Sequence, residues 1–416
     1  MNRSFFFILS AATLFLLISE WLQKIGLIPN IFGIRHFTLL LSFLLLFFAS
    51  KNTIWTKLDK SYTIKAFILS IILIVALIAV QPRILNYLIG ISFTFLFAII
   101  MFLGSKLRIH ITSIIHYLKV TTYILLFLGL PPFLNALIQF ESMRWHPGIF
   151  RELGALGGLM NIGVIFSLYL FLQTKRKQFL RISYVFSLIV IATILKKSII
   201  DLIIIWITFF YFFQKFKIFK TKRIVYSILI VFIILTPVIY DELAENLNMN
   251  ANYLNTAGVD GHVRLAMYLA AFKIGVDYFP FGSGFGTFGT PASVFGGYSN
   301  LYHEYNISSI ETLSEYRVMN NFSHTLFDTY WPHIIAEIGF IGFFIFLSLW
   351  FFPIRRSLKI YRKRKGYIDR CNLYLILTLI LTISLDGLTL FNPEIPLFIL
   401  FSHGITSIIN NAQFSE

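Results

Sequence analysis

Apolar runs of about twenty residues recur along most of the chain, and they decide what it can fold into. They fall at 4–19, 31–50, 64–80, 84–103, 119–138, 153–172, 182–195, 198–213, 224–240, 331–352, 372–390 and 395–410. A run of ~20 such residues, wound as a helix, crosses the hydrocarbon of a bilayer. A soluble core could not absorb them, because cores stop growing and split into domains. With 57% of 416 residues hydrophobic and 13% charged, lipid is the solvent that accepts this surface. The expected fold class is therefore an all-α integral membrane protein with about twelve transmembrane helices. Nine would lie in 1–240 and three in 331–416, with one large loop at 241–330 between them. Segments 182–195 and 198–213 flank Lys196-Lys197 with almost no loop. Read as one long broken helix, they would reduce the count to eleven.

The placement of charge chooses between these counts. Basic residues crowd the stretches near 51–65, 104–119, 175–181, 215–223 and 355–370, which with Arg3 hold 25 of the 35 Lys and Arg. Short basic loops stay cytoplasmic, and with twelve helices all of these share one side. Both termini are then cytoplasmic. The loop 241–330, with nine acidic residues against Arg264, Lys273 and Arg317, faces out. A loop of this length is expected to fold and to carry function. The net charge of +16 follows from topology and from anionic lipid, so no nucleic-acid partner is expected.

Other classes lose support. The single cysteine, Cys371, leaves the large loop without a disulfide. P-loop, CxxC and HExxH patterns are missing, which argues against ATP-driven transport and common zinc sites. The first apolar run lacks a small-residue cleavage site and reads as a spanning helix rather than a cleaved signal.

Polar residues concentrate at four outward places. These are Glu141–Glu152 with Arg144 and Arg151; Lys196-Lys197-Ser198 with Asp201; Asp260-Gly261-His262-Val263-Arg264, leading through a helical stretch to Pro280-Phe281-Gly282-Ser283-Gly284-Phe285-Gly286-Thr287-Phe288-Gly289; and Ser323-His324 through Asp328 and Trp331-Pro332 to His333, Glu337, Gly339 and Gly342. Arg264 with its helix and the glycine-rich turn resemble the outer loop of the O-antigen ligase and polysaccharide polymerase superfamily. The stretch Asp328–Gly342 is similar to the loop exit of capsule and exopolysaccharide repeat-unit polymerases in that group. Tyr298-Ser299-Asn300-Leu301-Tyr302 and Tyr305 add to the likeness. Two departures stand out. His324 is followed by Thr325 where relatives carry a His-Asn pair, and Lys196-Lys197-Ser198 stands where they show Ser-Arg.

The resemblance implies a glycosyltransferase of GT-C-like architecture in a bacterial cytoplasmic membrane. It would polymerise undecaprenyl-diphosphate-linked repeat units without cofactor or metal and with inversion. Membrane lipids and a chain-length regulator are further partners it implies. A ligase moving the glycan to lipid A core is the nearest alternative, and a polysaccharide transporter the next. The leaving diphosphate needs cations where its charge develops, and arginine offers it a rigid two-pronged donor set. Arg264 is the first candidate, with Lys196, Lys197, Arg144, Arg151, His262 and Arg317 as further substrate contacts. His324 or Asp328 would take the acceptor's proton, and Glu337 would orient the base or shape the site.

Each residue also has a plainer use. Arg264 could pair with Asp260, Asp328 could cap the helix entering at Trp331, and Glu337 could pair with His333. Lys196 and Lys197 could reach headgroups, while Arg144 and Arg151 could anchor the interface beside Trp145. The glycines could form a tight turn or a phosphate nest. The topology is open to a direct test in chains lacking Cys371. A cysteine placed in 241–330 should react with an impermeant maleimide added to intact cells, and one placed in 354–370 should not. The opposite pattern would invert the orientation.

Overall fold

The computed structural model describes residues 57–80, 87, 111–139, 153–193, 195–213, 263–290, 292–295, 297–310, 313–321 and 330–386, among which there is no strand. The helices are α1 (Lys57–Val80), α2 (Ile111–Gln139), α3 (Leu153–Thr174), α4 (Lys177–Ala192) and α5 (Lys196–Phe213). They continue with α6 (Val263–Asp277), α7 (Ala292–Phe295), α8 (Asn300–Glu304), α9 (Glu315–Asn321), α10 (Tyr330–Trp350), α11 (Phe352–Arg364) and α12 (Tyr367–Asp386). Among the described residues, three helices are long and apolar enough to cross a membrane, over Ile115–Asn135, Leu156–Thr174 and Trp331–Trp350. The apolar runs at 4–19, 31–50, 224–240 and 395–410, and all of 84–103 except Tyr87, lie outside the described residues.

The chain divides into two compact units. One comprises Met1–Ile71, Ile91–Phe209 and Phe344–Glu416; the other comprises Ile72–Gly90 and Phe210–Phe343. In the first, α3 is the buried hub, and small residues let its neighbours approach closely. A Cβ on Gly163 would meet the Phe186 ring of α4 at 2.8 Å, and one on Gly129 of α2 would meet Met160 Sδ at 2.4 Å. Asn161 donates from Nδ2 to the Ser198 carbonyl at 2.9 Å, and Tyr169 donates to Asn372 Oδ1 of α12 at 3.0 Å. Such bonds join helices where lipid offers no partner.

The ambiguous stretch 182–213 resolves into two helices. Trp206 Nε1 donates to Ser187 Oγ at 3.1 Å, and the Trp206 ring stacks on Tyr184 with centroids 5.4 Å apart. In one continuous helix Ser187 and Trp206 would stand roughly 28 Å apart, at 1.5 Å per residue. The chain therefore reverses around Thr193–Leu195. The basic stretch expected as a loop at 354–370 is instead largely helical as α11. A proline near its start supports it, and Lys365 in left-handed backbone ends it before Gly366. Lys and Arg are good helix formers, so high charge did not prevent the helix.

The described residues within 263–321 pack into a core of their own. In the second unit Met267, Ala270, Ala271 and Ile274 of α6 pack with Phe288, Val294, Tyr298, Leu301 and Tyr302. Ile307, Ile310, Leu313 and Val318 complete this core together with Ala336 of α10. The folded loop thus takes part of α10 into its own core. That helix is broken at Gly339, whose φ of 66° and ψ of 176° are not helical.

Gly282, with φ of 77°, sits against the break: its Cβ would lie 2.3 Å from Gly339 N and 2.7 Å from the Ala336 carbonyl oxygen. Only glycine permits so close an approach of two backbones in left-handed conformations. Replacing Gly282 or Gly339 by alanine should lower stability by about 3 kcal/mol or more, combining backbone strain and a clash that cannot relax. Gly275→Ala, which would crowd only the Phe340 ring, should change it by under about 1 kcal/mol, since the gain in helix propensity offsets the crowding. Thermal unfolding in detergent measures both.

Candidate functional site

The break in α10 creates a polar demand in an apolar place. At the end of a helical segment the last carbonyls lose their partners in the following turn. The Ala336 and Glu337 carbonyls find theirs on the glycine-rich turn, where Ser283 N–H and Gly284 N–H each donate at 2.9 Å. Ser283 Oγ also donates to the Ala336 carbonyl at 3.1 Å. A polypeptide turn thereby caps a half-helix from about fifty residues earlier in the chain.

The side chain of Glu337 completes the joint. Its Oε1 accepts from the N–H groups of Thr287 and Phe288, both at 3.1 Å, and from Thr290 Oγ1 at 3.2 Å. Gly284 and Gly286 have positive φ, and the alternation curves the turn so that successive amides converge. This is the nest geometry that binds anions, and here the protein's own carboxylate occupies it. Glu337 is fully buried, and its Oε2 has no hydrogen-bond partner among the described residues. The pairing with His333 considered from the sequence is not among its bonds.

A second chain of hydrogen bonds steadies the far side of the turn. Gly289 N–H donates to Tyr302 Oη at 2.7 Å, and Tyr302 Oη lies 2.6 Å from Ser293 Oγ. Ser293 Oγ donates to the Thr290 carbonyl, so the Tyr302 hydroxyl donates to Ser293. Burial holds the Tyr302 phenol well above its ordinary range, which keeps it a donor throughout physiological pH. Tyr298 donates to the Leu313 carbonyl at 2.5 Å and ties the next segment to the same core. Thr287, Thr290, Ser293 and Tyr302 were not singled out as site residues. The signal was a set of small hydroxyl residues directly following the glycines.

The other expected site residues are distributed as follows. Arg264 stands in the first turn of α6, in helical register with Ala271 and Gly275. Arg317 lies on α9. Lys196 and Lys197 open α5 in the first unit, four to five residues before the fully buried Asp201. His262, Arg144, Arg151, His324 and Asp328 lie outside the described residues. The structure thus joins Glu337 to the glycine turn, with the Arg264 helix leading directly into that turn. The arrangement fixes backbone shape and fills the nest, so the Thr287 and Phe288 amides are committed to Glu337 rather than offered to a phosphate. Any diphosphate here would depend on side-chain cations.

Compared with known protein families and with curated proteins, the chain matches no family and no individual protein.

The clip predicts a graded response. Glu337→Ala leaves three buried donors without an acceptor and should lower stability by about 3 kcal/mol or more, at roughly 1–3 kcal/mol per unsatisfied donor. Glu337→Gln keeps one oxygen in place and should cost about 1 kcal/mol. Tyr302→Phe strands Gly289 N–H and should fall between these values. Unfolding midpoints that rank in another order would remove the clip.

Proposed function

We propose that this chain is a membrane glycosyltransferase that polymerises undecaprenyl-diphosphate-linked oligosaccharide repeat units at the outer face of a bacterial cytoplasmic membrane. The acceptor hydroxyl attacks the anomeric carbon of the lipid-linked donor, and the bond from that carbon to the diphosphate oxygen breaks. The hydroxyl proton passes to His324 or Asp328, and the lipid diphosphate leaves with the bonding electrons. Direct displacement inverts the configuration at that carbon. Arg264 holds the departing diphosphate.

One observation supports the reading above the rest. The two motifs that carry the resemblance, Pro280–Phe288 and Glu337–Gly339, are about fifty residues apart in sequence yet form one interlocked unit. A shared motif order then has a physical reason: each motif is the other's hydrogen-bond partner. Glu337 acts in this reading by shaping the turn, while the cations and the base act on substrate. The apolar helices supply the flank that a polyisoprenoid needs.

The broken helix also raises the transporter reading, because discontinuous helices there present free carbonyls to ions. Here the Ala336 and Glu337 carbonyls accept amides from the glycine turn. That occupancy favours an immobile joint over an ion site.

Purified protein in vesicles, given labelled lipid-linked repeats, should build long glycans on the lipid carrier without any lipid A core present. Arg264→Ala should abolish extension while protein accumulation stays normal, because a contact made to the developing charge affects rate more than folding. Arg264→Lys should retain a small fraction of the rate, since it keeps charge without the fork. Extension only after core acceptor is added would identify a ligase. Glycan crossing the membrane at unchanged length would identify a transporter.

A further inference from the structure

The outward side of α6 is apolar where a loop helix in water would be polar. Leu269, Phe272 and Val276 follow on α6 at steps of three and four residues, and Phe279, in the turn just after the helix, continues the same stripe. They are 52%, 49%, 62% and 63% exposed. The stripe lies opposite the buried Met267, Ala270, Ala271 and Ile274, so the helix is apolar on its outer side as well as on its core side. Lys273 and Asp277 share one flank, and Arg264 stands on the other, in register with Ala271 and Gly275. Asp277 accepts from Tyr305 Oη at 2.9 Å, and Lys273 Nζ stands 5.6 Å from the centroid of the same ring.

A helix apolar on two opposite faces buries both against protein or lipid, and an exposed apolar strip beside charges marks a membrane or protein contact. Continuity with α10 decides for lipid. The Phe272 ring contacts Phe340 of α10, with centroids 5.9 Å apart, and the same Phe340 covers Gly275. Ile341, the next residue on α10, is 43% exposed, and it belongs to a helix long and apolar enough to cross a membrane. The stripe therefore continues the apolar surface of that helix. It contains no hydrogen-bonding side chain to specify a protein partner.

We infer that α6 is an interfacial helix whose Leu269–Phe272–Val276–Phe279 stripe is embedded among the acyl chains of the bilayer, with Lys273 and Asp277 at headgroup level. Buried apolar area provides the affinity, as for other helices lying in the membrane plane. The large loop is then seated in the membrane at its edge, and the glycine turn that α6 feeds is held at acyl-chain depth beside Ala336–Gly339. Non-helical backbone is tolerated there because protein encloses it and pairs its polar groups. The inference rests on helix packing and is independent of the reaction proposed above.

The test uses full-length chains carrying Cys371→Ala and one new cysteine each: Leu269→Cys, Phe272→Cys, Val276→Cys or Phe279→Cys on the stripe, and Lys273→Cys or Asp277→Cys on the flank. Each is labelled with a small fluorophore and placed in phosphatidylcholine vesicles. Lipids brominated on their acyl chains should quench the four stripe labels several-fold more than the flank labels, and aqueous iodide should show the reverse order. Iodide reaching stripe and flank alike would overturn the inference. So would stripe labels shielded from both quenchers, because protein would then cover the strip. The four stripe positions are exposed and are read independently, so the loss of one variant leaves the comparison intact.

Discussion

A helix that stops inside an apolar environment must have its last carbonyls satisfied, because no water is there to do it. In this chain the stop is at Gly339, and the amides of Ser283 and Gly284 meet the requirement. The rest of the second unit is arranged around that fact. Gly282 is glycine because the two backbones touch, and α6 ends where it does because the turn must begin there. Glu337 lies two residues before the break, so its carboxylate faces the converging amides of the same turn. Backbone satisfaction sets the position, and apolar packing by Phe288, Tyr298 and Tyr302 then fixes it.

The carboxylate also bears on the chemistry. Nests of amides commonly receive phosphate, and a glycine-rich run next to a proposed diphosphate site invites that assignment. Occupation by Glu337 redirects it. In the proposed reaction, charge neutralisation would fall to arginine and lysine side chains, which carry a full positive charge that a backbone cannot. A rigid, internally satisfied turn still contributes, since cations act best on developing charge when their support does not reorganise.

Much of the helical layout was legible in the sequence because it follows from local pattern. Segments 119–138, 153–172 and 331–352 announce themselves by length and apolarity, and α2, α3 and α10 cover them. The reversal between α4 and α5 was one of two readings; charge placement favoured it, and the Trp206–Ser187 bond and Trp206–Tyr184 stack show it. Helix α11 was hidden because its charges resemble a loop, although Pro353 and Gly366 mark its ends. The partners of Glu337 were not legible. They are backbone amides some fifty positions away, and no side-chain pattern records which amides converge. The same holds for Tyr302, whose role depends on the turn placing Gly289 and Ser293 against it. Arg264 was legible as a helix-borne cation, and α6 carries it in its first turn.

The direction of synthesis gives the Gly339 break a further meaning. Residues 282–290 leave the ribosome well before Ala336 and Glu337, so the turn is made before anything exists to receive its amides. The turn can therefore reach its final shape only after α10 has been made. A segment cut off at Tyr330 would keep most of its apolar core and still have no counterpart for its glycine turn. Maturation of this region is in this way tied to a helix that follows it in the chain.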